Sequence, residues 1–194
     1  MRLSQIVQAQ QVSRVNVADT PLEVARDIAT TQAEHAGKSL DALLPNFDYG
    51  YKLLQNKLHK AKPISRAEMP VIRQINMPGF SKHLTEQGIH NKMTETPVSA
   101  LLPTQKQIWL DKAIADPLQH GKLSPGDARL NLIIITSKDG YILDGHHRFT
   151  SALLSDPKLK QRTLLVDLPI DKLVPLAKKY GESVGNEARA SVDD

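Results

Sequence analysis

Leu132-Ile133-Ile134-Ile135-Thr136, Lys138-Asp139-Gly140, Tyr141-Ile142-Leu143 and Asp144-Gly145-His146-His147-Arg148 follow one another almost without a gap, and their order decides how the chain is read. A β-branched run of five predicts a buried strand. Asp-Gly between two apolar runs predicts a hairpin, with residues 141–143 as the return strand. Gly145 permits a sharp turn and lets a ligand approach the backbone. A helix is then expected from about His146 to Leu154, stopped before Pro157. Its first N–H groups have no partner within the helix and attract anions. Arg148 is a permanent cation able to grip a phosphate with two bonds. His146 and His147 can donate to phosphate oxygens or act as acid or base near neutral pH. Asp144 can cap the helix, orient a histidine, take a proton from a substrate or hold a metal ion. Three cationic or donor side chains beside the positive end of a helix dipole oppose stability on their own, so they point to a bound anion.

Working outward, Thr163 to Leu168 reads as a third strand, and Asp171 to Lys179 as a helix ended by Gly181. Upstream, Pro97 to Pro103 reads as a short strand or extended lead-in. Thr104 is expected to cap a helix containing Ile108, Trp109, Lys112 and Ala113, with Trp109 packed in the core. Residues 1–62 read as helical. Thr20-Pro21-Leu22-Glu23 has the pattern of a capping box with proline in the first turn, and Gly37 is a natural stop. A second helix is expected from Phe47 to His59, with Tyr51, Leu54 and Leu58 on one face and Pro45 and Pro63 on either side. Residues 63–96 are irregular, with a short helix from Phe80 to Gln87 ended by Gly88. The predicted organisation is a helical and irregular extension over 1–96, a compact α/β domain over 97–181, and a disordered acidic tail over 182–194.

Composition bounds the rest. A hydrophobic share of 40% and a charged share of 24% are ordinary for a soluble globular chain. With no cysteine there is no disulfide, no thiolate metal site and no cysteine nucleophile. No apolar run reaches the ~20 residues needed to span a bilayer. Met1-Arg2-Leu3-Ser4-Gln5 leads into Gln-rich sequence rather than an apolar signal, so a cytoplasmic protein is expected. The formal net charge is +4. Residues 182–194 hold one arginine against four acids, −3 in all, which leaves +7 on the body. A mildly basic body suits a polyanion such as a nucleotide or DNA.

Asp144-Gly145-His146-His147-Arg148, after an apolar hairpin and before an alanine-containing helix, resembles the signature of the ParB/sulfiredoxin superfamily. The resemblance covers roughly Pro97 to Tyr180. It implies a small mixed-sheet α/β domain that holds nucleotide phosphates at this turn. Sulfiredoxins carry a catalytic cysteine where His146 stands, which sets that activity aside here. ParB proteins have Glu-Arg-Arg after the glycine, where His-His-Arg stands here, and a helix-turn-helix beyond, so a partition protein is not expected. Free-serine kinases are similar in keeping Asp-Gly-His-X-Arg, which places their aspartate and arginine on Asp144 and Arg148. Their catalytic glutamate belongs to the segment that is here Leu102 to Gln107. That segment is similar to the Pro-Thr-Gln stretch of small ParB-like proteins from phages and bacteria. By this resemblance Thr104, Gln105 and Gln107 join Gly145, His146, His147 and Arg148 in binding phosphate or nucleotide.

Three functions are compatible with these residues. The first is a nucleotide-dependent phosphotransferase or nucleotide hydrolase. It would use ATP, ADP or CTP with Mg2+, the metal held mainly by nucleotide oxygens and also by Asp144, with Asp144, His146 and His147 as catalytic groups. The second is a DNA-binding protein or metal-dependent nuclease. The third is a non-catalytic partner-binding protein, favoured by the absence of an acid near Gln105. Lys82 and His83 approach the site only if the irregular segment folds over it, and no Walker loop or G-X-G-X-X-G is present.

Overall fold

Consecutive residues of the two central strands belong to different cores. The computed structural model describes residues 14–62 and 64–186. In it β2 is Ile134–Ser137 and β3 is Ile142–Asp144. Ile134 and Ile142 pack in one apolar cluster, Ile135 and Leu143 in another. Side chains alternate across a sheet, so both faces are covered. That is why β2 is buried at every residue instead of alternating apolar with polar.

With β1 (Asn91–Pro97) and β4 (Lys160–Val166), these strands form one mixed sheet in the order β1-β4-β2-β3. β1 runs antiparallel to β4 from Asn91↔Val166 to Pro97↔Lys160. β4 runs parallel to β2 from Ile134↔Thr163 to Ser137↔Val166, and β2 is antiparallel to β3. The helices among the described residues are α1 (Leu22–His35), α2 (Leu40–Leu43), α3 (Phe47–His59), α4 (Met77–Glu86), α5 (Leu110–His120), α6 (His146–Ser155) and α7 (Ile170–Ser183).

Alanines 25, 29 and 33 of α1, Tyr51 and Leu54 of α3, Ile114 of α5 and Phe149 and Leu153 of α6 cover one face. Phe80 and Leu84 of α4 and Leu173 and Ala177 of α7 cover the other. The result is helix, sheet, helix. Each large apolar side chain taken fully out of water contributes about 1.5–3 kcal/mol. The helices of the N-terminal half therefore share a core with α5 and α6, and residue 96 lies within β1. Gly50 lets α3 approach α6 closely, because a Cβ there would collide with the Leu153 carbonyl.

Several local expectations are corrected by long-range contacts. α3 has the expected bounds, and Gly37, with φ +69°, ends α1 in a Schellman turn closed by Lys38 N to Ala33 O at 2.9 Å. Thr20 does not cap α1: its hydroxyl donates to Asn16 O at 2.7 Å and its carbonyl accepts from Tyr51 at 2.7 Å. Nor does Thr104 cap a helix. Trp109 and Asn16 form an antiparallel bridge, with Val17 N to Ile108 O at 2.9 Å and Leu110 N to Val15 O at 3.0 Å. This keeps 108–109 extended, delays α5 to Leu110 and leaves Trp109 half-buried. The strand near Pro97 ends there instead of beginning. Beyond a short turn at Val98–Ala100, Leu102 bridges Tyr141 and covers the outer edge of β3. α4 begins at Met77, three residues before Phe80. α7 runs through Gly181 to Ser183, because Gly181 lies under the Val71 carbonyl, 2.7 Å from where a Cβ would be. The expectations for Met1–Gln5 and for residues 187–194 lie outside the described residues. No helix among the described residues is long and apolar enough to cross a membrane.

Candidate functional site

The hairpin ends at Asp144, and Gly145 takes φ +102°, a left-handed conformation that L side chains avoid. α6 starts at once. Its first ladder bond is Phe149 N to Gly145 O at 3.0 Å, so the amides of residues 146–148 precede the ladder at the positive end of the dipole. A Cβ on Gly145 would lie 2.9 Å from Arg148 Nη2 and 2.9 Å from Ile134 Cγ1. The glycine therefore makes the turn and also leaves room for the guanidinium to fold back against it.

Arg148 is held there by Nη2, which donates to Ile133 O at 3.2 Å. Its Nε is buried and has no hydrogen-bond partner. Burial pushes its pKa down, and the nearby Asp144 carboxylate opposes that shift. A partly desolvated guanidinium short of acceptors binds an incoming anion more strongly than a fully exposed one.

This corner forms one wall of a cleft of ≈320 Å3, with Asp144 to Arg148 along it. Met69 to Gln74 and Gln105 line the same space. Residues 69–74 are a strap fixed by Gln74, whose side-chain amide donates to Ile133 O at 2.9 Å and accepts from Ile133 N at 2.8 Å. Exposed Arg73 sits next to that pin and lines the cleft.

His146 has a different task from the one its position in the motif suggests. Its ring is buried, and Nε2 accepts from Thr104 N at 3.1 Å and from Gln105 N at 3.4 Å. A backbone amide can only donate, so Nε2 carries no proton and the neutral ring is protonated on Nδ1. Burial, with His147 alongside, pushes the pKa down to about 3. The Thr104 hydroxyl lies 3.0 Å from the same nitrogen and 2.8 Å from Ile142 O. Together the imidazole and Thr104 tie the 104–105 bend to the start of α6 and so bring Gln105 to the cleft. The Thr104 hydroxyl and His146 Nε2 are engaged in this packing, while the His146 residue still lines the cleft.

The structure thus brings Asp144, Gly145, His146, His147, Arg148 and Gln105 together around one space. Gln107 and Lys106 are exposed and do not line it. Lys82 pairs with Glu86 at 3.7 Å and the His83 ring packs tilted against Tyr180 with centroids 5.0 Å apart, and neither residue lines the cleft. His147 and Arg148 also border a smaller cleft of ≈140 Å3 on their other side. Among the described residues no three histidines or carboxylates are grouped to hold a metal. Asp144 is the one carboxylate among the described residues lining the larger cleft, so a metal there would take most of its ligands from a bound phosphate.

Arg73, Gln74 and the strap were not legible as site residues. Met-Pro-Val-Ile-Arg-Gln carries no motif, and only the pairing of Gln74 with Ile133, 59 residues away, brings the strap to the turn. No protein-family model matches the chain, and neither a curated protein nor a solved structure was found similar to it.

Proposed function

We propose that this chain binds the phosphates of a nucleotide in the cleft at the start of α6 and acts there as a phosphotransferase or nucleotide hydrolase. The observation that carries the reading is Arg148: a half-buried guanidinium whose buried Nε is unsatisfied, on a residue that lines an open cleft beside the amides that begin a helix. The strand–turn–helix order around Asp144 to Arg148 also supports the ParB/sulfiredoxin resemblance.

The residues divide the work. The helix start and Arg148 hold phosphate oxygens and offset charge that grows during transfer. Gln105 offers an amide to a ribose or an acceptor. Asp144 takes a proton from an attacking hydroxyl or water, and His147 borders the same space. If Asp144 instead held Mg2+, the ion would supply positive charge to offset that of the phosphates.

Thermal-shift and calorimetric titrations with ATP, ADP, CTP and GTP, each with and without Mg2+, test the reading. At least one nucleotide is expected to raise the melting temperature, and Arg148→Ala to remove most of that shift. No shift with any nucleotide, or a full shift in Arg148→Ala, defeats the proposal.

A further inference from the structure

We infer that the strap Met69–Gln74 is the second half of the anion site, and that it makes the cleft a receptor for two or more linked phosphates rather than one. The inference rests on the nucleotide reading above and adds a ligand class and a positioning residue to it.

Two cations from different segments line the cleft. Arg148 stands with the helix start, and Arg73 stands on the strap. Its ≈320 Å3 is about ten times the share of one liquid water, more space than one phosphate needs. A pyrophosphate or triphosphate can present an anionic group to each cation at once.

The strap is also fixed at several points. Ile72 is buried in the cluster with α4 and α7. The Val71 carbonyl lies against α7 at Gly181, where a Cβ would stand 2.7 Å from it. Gln74 satisfies both backbone groups of Ile133, at 2.8 and 2.9 Å. Arg73 therefore projects from a segment pinned on both sides. Ile133 O accepts from Gln74 Nε2 and from Arg148 Nη2 at 3.2 Å, so one carbonyl orients groups of both segments. Gln74 is a positioning residue, acting through Arg73 and Arg148.

Calorimetry with orthophosphate, pyrophosphate and tripolyphosphate at constant ionic strength tests this. Wild type is expected to bind the linked phosphates about tenfold more tightly than orthophosphate, the worth of one added charge-assisted contact. Arg73→Ala changes an exposed side chain, keeps the fold and should lose that increment. Gln74→Glu adds a chemical readout. An ionised carboxylate cannot donate to Ile133 O, whereas a protonated one can. Its affinity relative to wild type, both measured at the same pH, should be low at pH 8 and rise as pH falls through the carboxyl's titration, ~4.3 for an unperturbed glutamate. A ratio that does not change with pH overturns the role of Gln74. Linked phosphates that bind no better than orthophosphate, or an increment retained in Arg73→Ala, overturn the strap inference and leave the anion site standing. A wild type that binds none of the three overturns both.

Discussion

Protonating His146 should cost this protein stability in a pH range where most histidines titrate harmlessly. The ring is buried and its Nε2 accepts from Thr104 N, so a proton on Nε2 destroys an acceptor and buries a charge. The unfolded pKa is about 6.5, and the folded pKa is held down at about 3. A depressed histidine pKa means that the unfolded chain binds the proton more readily. The stabilisation is therefore complete above pH 6.5 and is lost as pH falls from there towards 3. At pH 5, one and a half units below the unfolded value, the loss is ~2 kcal/mol at 1.36 kcal/mol per unit. For a chain of this length that corresponds to roughly 4–8 °C in Tm.

The assay is urea unfolding at pH 8 and pH 5 for wild type and for His146→Gln. The glutamine amide oxygen can accept from Thr104 N and does not titrate. Other groups titrate in both proteins, so the difference between them isolates His146. Wild type should lose ~2 kcal/mol more than the variant between the two pH values. Equal losses would refute the buried-acceptor role of the ring.

Two glycines give sharper steric tests. Gly145→Ala places a side chain at φ +102° and against Ile134 Cγ1 at 2.9 Å, so unfolding should become easier by about 2–5 kcal/mol, summing left-handed strain and overpacking. Calorimetry should show the lower Tm, and an unchanged Tm would mean that the turn has another shape. Gly50→Ala would raise helix propensity by up to about 1 kcal/mol in an isolated helix. Here its Cβ meets the Leu153 carbonyl, so a net loss of about 1–2 kcal/mol is expected from denaturant titration. A net gain would show that α3 and α6 are not in close contact there.

Elements specified by neighbouring residues were legible, and elements specified across the chain were not. α3 has its expected bounds because Tyr51, Leu54 and Leu58 repeat on one helical face. The β2–β3 hairpin and α6 follow from a β-branched run, Asp139-Gly140 and Gly145, all within about 20 residues. β1 was missed because Asn91-Lys92-Met93-Thr94-Glu95-Thr96 shows no apolar alternation. It is an edge strand, half-exposed along its length, and its register comes from β4. The helix expected from Thr104 begins at Leu110 because Asn16, far away in sequence, holds Trp109 extended.

The same division runs through the candidate site. The sequence by itself determined that a glycine turn opens a helix with Arg148 in its first turn, since φ preferences and helix starts are local properties. Only the tertiary structure decided which motif side chains remain available. It buried His146 and Thr104 on each other, left Gln107 outside the cleft, and brought Arg73 and Gln74 to the same cleft as the turn. Those outcomes depend on which surfaces pack together after the chain has folded, and residue spacing along the sequence does not encode that.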